Sequence, residues 1–304
     1  MRGHTIFNRA LRVSIPRGVR KPKSCAIRFD FLGFGRSWRH FPQVCAFTVQ
    51  RPQVVIVTGV TDVNEPGLWE KHADWWQDEF TDGVDAEYEE QIIPLALDLL
   101  AGRDRILDVG TGEGQIARKL MAADADQVVG IDLTSSQIIE AIRRGGGPAY
   151  LRSDADALPF ADDSFDGALA CLVYEHIEAM ETALTESARV LRPGGRFVLM
   201  LNHPLLQTPG SGWIDDQWLD PPERYWRIGP YLQEASTVEE VQKDVYIPFV
   251  HRPLSRYLNA MVDAGFGFKR MIEPSPPEGF LERAATYREA AAIPRLLVLV
   301  ADKL

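Results

Sequence analysis

Apolar positions along the chain first repeat at helical spacing and then switch between two periods. Trp69, His72, Ala73, Trp76 and Phe80 share one helical face after Pro66, a residue suited to a first helical turn. Asp85 is placed to cap a second helical stretch running to Leu100. Tyr88, Ile92, Leu95, Ala96 and Leu99 line one side of that stretch, and Pro94 kinks or divides it. Beyond it, short apolar runs alternate with amphipathic ones. Strands are predicted at 105–109, 127–131, 149–152, 165–172 and 196–201, and helices at 114–123, 135–143 and 179–191. The turn Pro193-Gly194-Gly195 is expected to end the third helix before its strand. A helix at 253–264 and strands at 266–273 and 295–301 complete the pattern. Strands that alternate with helices predict an α/β fold, a mostly parallel sheet with helices on both faces.

Two segments depart from this alternation. Residues 202–250 are rich in Trp, Tyr, Pro and Gly, including Trp213, Trp218, Tyr225, Trp226 and Tyr231. The stretch is too long for a plain connection and predicts a lid with structure of its own, inserted into a domain spanning residues 53–304. Residues 1–52 show no sustained period and carry 11 Lys/Arg against one acid, Asp30. The expectation is a disordered extension or a reading frame begun upstream of the true start; an organelle transit peptide and a basic nucleic-acid-binding arm stay open beside it. The formal net charge of −10 therefore hides a strongly acidic body, and such a body repels a phosphate backbone, which weighs against nucleic acid as partner. Cys25, Cys45 and Cys171 have neither disulfide-framework nor zinc spacing, and no metal site is expected. No apolar run approaches the roughly 18–20 residues of a membrane span, so the expected location is cytoplasmic. Nothing in the sequence sets the oligomeric state.

The chemistry concentrates at ILDVGTGEGQIARKL, residues 106–120. An apolar strand ends in Asp108, a turn carries Gly110, Gly112 and Gly114, and a helix follows. Glycine lets such a turn adopt positive φ and brings backbone close to a nucleotide-like ligand. The dinucleotide pattern G-x-G-x-x-G would place its third glycine at position 115, which holds Gln115. The second strand ends in Asp132, whose carboxylate can accept hydrogen bonds from two ribose hydroxyls. That ribose is common to NAD and S-adenosylmethionine (SAM), so Asp132 alone does not separate them.

The turn G-x-G-x-G after an acid resembles motif I of the class I SAM-dependent methyltransferases. LRSDADALPF, residues 151–160, resembles the D-A-x-x-L-P-F element of that family, and residues 162–178 and 188–199 resemble its fourth strand and its closing helix–turn–strand. The whole is similar to a type 11-like methyltransferase domain. This resemblance implies a Rossmann-like seven-stranded sheet of order 3-2-1-4-5-7-6 with the last strand antiparallel, SAM as cofactor, and methyl transfer to a small-molecule acceptor at O, N or C. Carried over position by position, it implies cofactor contacts from Asp108, Gly110, Thr111, Gly112, Gly114, Asp132, Leu133, Asp154, Ala155 and Cys171. The alternatives are an NAD(P)-dependent oxidoreductase and a catalytically silent SAM-binding regulatory protein.

Catalytic candidates are fewer. His176, past the fourth strand, is placed to act as base or to touch cofactor, and equally to pack the following segment. His203, at the mouth of the fifth, is placed to face substrate or to sit in the loop before Pro204. His251-Arg252 before Pro253 suits an anionic group or a helix-entry salt bridge, and His72 is expected to face the core. Trp75, Trp76 and Tyr88 are either packing or a cover over the ligand. The acceptor is expected under the 202–250 lid. Asp132→Ala is expected to weaken SAM binding with little loss of fold, its partners being on the ligand.

Overall fold

The computed structural model describes residues 66–283 and 291–304. The readings made on residues 1–52 lie outside them. Helices α1 (Pro66–Lys71) and α2 (Ala73–Phe80) are separated by the turn at His72. The second helical stretch starts where Asp85 Oδ1 accepts the amides of Glu87 (2.7 Å) and Tyr88 (3.1 Å). A π-turn, Tyr88–Ile92, runs directly into α3 (Ile93–Leu99), with Pro94 in its first turn. Pro94 has no N–H to give and its ring would crowd the carbonyl four residues back; the wider turn relieves both.

The central sheet contains β1 (Arg105–Val109), β2 (Gln127–Asp132), β3 (Ala149–Arg152), β4 (Phe165–Cys171), β5 (Leu191–Asn202), β10 (Phe266–Ile272) and β11 (Leu296–Lys303). Its order is β3-β2-β1-β4-β5-β11-β10, with β11 antiparallel to both neighbours, the topology expected from the sequence. Helices α4 (Gln115–Ala122), α5 (Ser135–Arg144), α6 (Met180–Val190) and α8 (Leu254–Asp263) make the crossovers. One expectation needs amendment: Pro193-Gly194-Gly195 does not precede β5 but bulges within it. Phe165 of β4 faces Leu191, and Gly167 already faces Arg196. Gly194 adopts φ +74°, which lets the extra residues loop out.

Alternate residues of each strand feed two cores. Leu107, Val109, Ala168, Ala170, Phe197 and Leu199 pack with α6 and α8; Ile106, Leu169, Val198 and Met200 pack with α3 and α4. Strands buried on both faces read as continuous apolar runs, which is why the sequence betrays them. The start of β1 is fixed by Asp166 of β4, whose carboxylate takes the amides of Asp104 (3.2 Å) and Arg105 (2.8 Å).

Between β5 and α8 the chain makes the short helix α7 (Pro204–Gln207) and two antiparallel hairpins. One pairs β6 (Gly212–Asp216) with β7 (Glu223–Arg227); the other pairs β8 (Ala235–Gln242) with β9 (Val245–His251). The short α9 (Glu278–Glu282) follows β10. Among the described residues no helix is long and apolar enough to cross a membrane.

Leu169 sits fully buried in the central strand. Leu169→Ala should therefore lower stability by about 2–5 kcal/mol, read as a shift in the urea unfolding midpoint at unchanged slope.

Candidate functional site

β1 and β4 are neighbours, yet their crossovers leave in opposite directions, so a crevice opens beyond their carboxyl ends. An open cleft lies there. Its floor is the turn after β1. Gly110 and Gly112 adopt φ +70° and +56°. Thr111 donates its amide to Ile131 O (2.8 Å) and its hydroxyl to Asp108 Oδ2 (2.7 Å). The turn is thereby tied to the ends of β1 and β2 together.

The glycines differ in what they make room for. A Cβ on Gly110 would lie 2.3 Å from a Val173 methyl carbon, and one on Gly114 would lie 2.3 Å from the Tyr150 hydroxyl. Those two glycines accommodate protein. A Cβ on Gly112 would meet nothing nearer than Trp76 Nε1 at 3.7 Å, so it would project into the cleft.

Ten residues named from the sequence line this cleft: Asp108, Gly110, Thr111, Gly112, Asp132, Leu133, Asp154, Ala155, Cys171 and His176. Gly114 does not; it starts α4 in the left-handed region against Tyr150. Asp132 is more constrained than expected. Its Oδ2 accepts the Gly112 amide (2.9 Å) and its Oδ1 the Thr134 amide (2.8 Å), so its partners lie on the protein as well as toward the cleft. Asp132→Ala would unpair two amides at the glycine turn, and is not the neutral probe of ligand contact that the sequence implied.

The electrostatics of the cleft are one-sided. Asp108, Glu113, Asp132 and Asp154 line it, and among the described residues no Lys or Arg does. Glu113 is neutralised from behind by Arg118 (2.6 Å) and Arg144 (3.4 Å). Burial pushes the Asp108 carboxyl up to about 7, against the Thr111 hydrogen bond and with Asp132 and Glu113 adding to it. Burial raises Asp132 too, opposed by the Thr134 and Gly112 amides. Two carboxyls held above their ordinary range beside an open cleft suit a cation or a set of hydrogen-bond donors.

Helices α1 and α2 form one wall. Trp69, Trp76 and Tyr88 face the cleft. Glu70 holds the arm down by accepting the amides of Ser135 (2.7 Å) and Ser136 (3.0 Å), and the Ser136 hydroxyl, at the start of α5. Trp75 donates to Gln242 Oε1 (2.6 Å) on the second hairpin. His72 is buried, as expected, and its Nε2 accepts the Tyr246 amide at 3.4 Å.

A second, much smaller cavity adjoins the first and shares Trp69, Trp76, Leu172 and His176 with it. Its remaining walls are Trp75, Phe80, Asn202, Val241, Ile247 and Phe249. Only the second hairpin of the insertion reaches it. Trp213, Trp218, Tyr225 and Trp226, expected to cover the acceptor, line neither cavity: Trp213 packs on Trp226 (5.7 Å) and Trp218 is 88% exposed.

His176 lies where the cavities meet. Its Nδ1 is 2.6 Å from Pro248 O; a carbonyl only accepts, so Nδ1 carries the hydrogen and Nε2 is a free acceptor. Burial depresses this imidazole to about 4, so it is neutral at ordinary pH. His203, the other catalytic candidate, lines neither cavity. Its Nδ1 accepts the Leu205 amide (3.2 Å) and its Nε2 faces Glu273 Oε1 (2.8 Å), which occupies both nitrogens in holding α7 to the end of β10. Arg252 lines neither cavity, and among the described residues it makes no salt bridge. It donates to the carbonyls of Tyr174 (3.4 Å), Ile177 (2.7 Å) and Glu178 (2.9 Å) and so fixes the loop that carries His176. His251 Nε2 bonds Tyr231 O at 2.8 Å.

Comparison with known proteins agrees with this geometry. A family model described as "Methyltransferase domain" matches residues 107–199, the span from the acid-ended first strand to the fifth. Residues 107–199 are thus similar to a methyltransferase domain. The domain is 37% identical over 131 residues to the ubiquinone/menaquinone biosynthesis C-methyltransferase UbiE of Paracoccus denitrificans, covering 40% of this chain and 52% of that protein. It is 37% identical over 136 residues to the O-methyltransferase rstn1 of Aspergillus nomiae, covering 42% and 60%. The chain thus spans about half the length of these curated relatives. A crystal structure of an S-adenosylmethionine dependent methyltransferase from Mesorhizobium loti superposes with a TM-score of 0.63 at 28% identity, over 73% of this chain and 100% of that one. The methyltransferase match stops at residue 199, so the hairpins that wall the smaller cavity lie beyond it.

Two predictions follow from the glycine turn and its acid. Gly112→Ala should fold with a loss of about 1 kcal/mol for its left-handed φ, yet lose SAM binding at least tenfold in calorimetry; Gly110→Ala, which collides with Val173, should lose stability first. Asp108, raised from 3.8 to about 7, keeps a proton in the folded chain that the unfolded chain has released over that window, so stability falls as pH rises through it. Glu175, also raised to about 7 by burial, acts in the same sense. Asp108→Asn should flatten the profile, visible as unfolding midpoints that change less between pH 4 and 7 than those of the wild type.

Proposed function

We propose that this chain is a SAM-dependent methyltransferase acting on a small-molecule acceptor. The observation that carries the reading is a cleft lined by acids, and among the described residues by no Lys or Arg, over a glycine turn whose Gly112 leaves its Cβ position to a ligand. A sulfonium with a free ammonium group is complementary to it. The pyrophosphate of NAD(P) is not, because two phosphates would meet Asp108 and Asp132 without a counter-charge. The resemblance at 151–160 and the names of the relatives point the same way.

The residues present fit this cofactor. Asp132 would meet the ribose hydroxyls with its remaining lone pairs, exposed Leu133 and buried Ala155 would flank the adenine, and Asp154 at the cleft mouth would receive its amino group. Asp108 and the turn from Gly110 to Gly112 would face the amino-acid end. When bound, SAM supplies an electrophilic methyl group and a neutral thioether leaving group. The protein's own contribution is position and dryness: Trp69 and Trp76 close the cleft from above, and His176 presents Nε2 at the junction of the two cavities. Alignment of this kind accounts for roughly 7–11 kcal/mol of barrier in well-oriented systems. His176 is a weak base, but a hydroxyl becomes strongly acidic as its oxygen gains a methyl group, so a weak acceptor fixed in place suffices. The relatives include C- and O-methyltransferases, so the acceptor atom is open at this level.

Titration of the full chain with SAM and with NADH tests the reading: SAM should bind and NADH should not. Tight NADH binding without SAM binding would overturn it. Incubation with methyl-labelled SAM and a metabolite extract should then transfer label to a small apolar product, which a silent SAM-binding protein would not do.

A further inference from the structure

The hairpin β6–β7 has the marks of an interaction surface. Its two strands pair only with each other, and it lies outside both cavities and outside the methyltransferase match. A lone two-stranded hairpin is marginal in water. Its second strand is the more open: Glu223, Arg224, Tyr225 and Arg227 are exposed, and the outer edge of β7 meets no strand among the described residues. Tyr225 is 43% exposed, and Ile228, just past the strand, is 47% exposed.

The charges of β7 are badly matched within the hairpin. The register sets Glu223 directly opposite Asp216, a like-charge pair, and Arg227 opposite Gly212, which has no side chain to meet it. Asp215 goes to Arg224 (3.8 Å) instead, and among the described residues neither Glu223 nor Arg227 forms a salt bridge. The pleat puts Glu223, Tyr225 and Arg227 on one face. Laying the same strand of a second copy antiparallel along the open edge, with a two-fold axis at Tyr225, supplies what is missing. Glu223 then stands opposite the second copy's Arg227, and Arg227 opposite its Glu223. Tyr225 meets its own counterpart, Arg224 meets the indole of Trp226, and one step further Pro222 meets Ile228. Two-fold symmetry makes each unlike pair occur twice.

The other open edges do not complement themselves. β10 carries Lys269 beside Arg270 and a bulge; β8 carries Glu239 beside Glu240; β6 ends in Asp215-Asp216; β3 has only four residues. Like charges, bulges and shortness are how edges are kept from pairing. On β7 the charges are instead antisymmetric about the strand centre.

We infer that β7 is the docking surface for a second copy of this chain, that the two hairpins join into one four-stranded sheet, and that Glu223 and Arg227 set its register. The hairpin lines neither cavity, so the inference stands apart from the methyltransferase reading. A five-residue strand makes a small interface, and the association is accordingly of the weak, reversible kind.

Sedimentation velocity of the full chain across the micromolar range tests it. The wild type should show a monomer–dimer equilibrium. Glu223→Arg and Arg227→Glu each turn two attractive pairs into two repulsive ones, and each should weaken dimerisation at least about tenfold. Glu223→Arg also removes the clash with Asp216 inside the hairpin, so its effect cannot come from a weakened hairpin. The double variant Glu223→Arg/Arg227→Glu should dimerise like the wild type. An equimolar mixture of the two single variants should form a heterodimer, which variants with unfolded hairpins would not do. A wild type that stays monomeric throughout, or a dimer indifferent to both single swaps, would overturn the inference. So would single variants that lose the dimer and do not regain it on mixing.

Discussion

The amide of Gly112 donates to the carboxylate of Asp132 across the gap between two strand ends, and the site is organised around that bond. It requires a left-handed turn directly after β1, which glycine supplies, and an acid at the last residue of β2. Thr111 completes the clamp by joining Asp108 and Ile131. With the turn held at three points, backbone and carboxylates face a common space before any ligand arrives. Preorganisation of this sort is what a binding site gains from resting on a parallel sheet, since the strand ends cannot drift apart without breaking the ladder that buries both cores.

The acids of the cleft are its main expense. Asp108 and Asp132 are desolvated, and among the described residues no Arg or Lys lines the cleft beside them, which destabilises the ionised free protein. The same arrangement rewards a cation that brings its own hydrogen-bond donors. Glu113 shows the contrast: its charge is met by Arg118 and Arg144 on α4 and α5, and it serves the loop. Asp108 and Glu113 stand five residues apart in sequence and differ in what they can do.

Much of this was legible because it is local. The strand, glycine turn, helix and second-strand acid follow one another within about 27 residues, and buried parallel strands print their period directly. What escaped depends on partners far away in the chain. His203 looked like a substrate-facing residue at a strand mouth until Glu273, 70 positions on, took its ring. Arg252 was expected to seek a carboxylate or a ligand, and it settled on three carbonyls about 75 residues away, groups that no side-chain code announces. Glu175 lies in a short helical turn after β4 and Asn202, whose amide it accepts, ends β5, and nothing in the sequence pattern pairs them. The hairpins of the insertion were hidden for another reason: the β8–β9 turn uses Lys243 and Asp244, with Asp244 at φ +65°, in place of an Asn-Gly or Asp-Gly signal.

One wall, built from Trp69, Trp76, Leu172 and His176, serves both cavities. Val241, Ile247 and Phe249 touch only the smaller one and sit on a hairpin outside the methyltransferase match. Descendants of this protein are thus unequally free to change. A new side chain in the shared wall would reshape both cavities together, so selection would meet both effects in every trial. A new side chain on the hairpin would reshape the smaller cavity alone, which makes β8 and β9 the part of the molecule that can vary without disturbing the larger cleft.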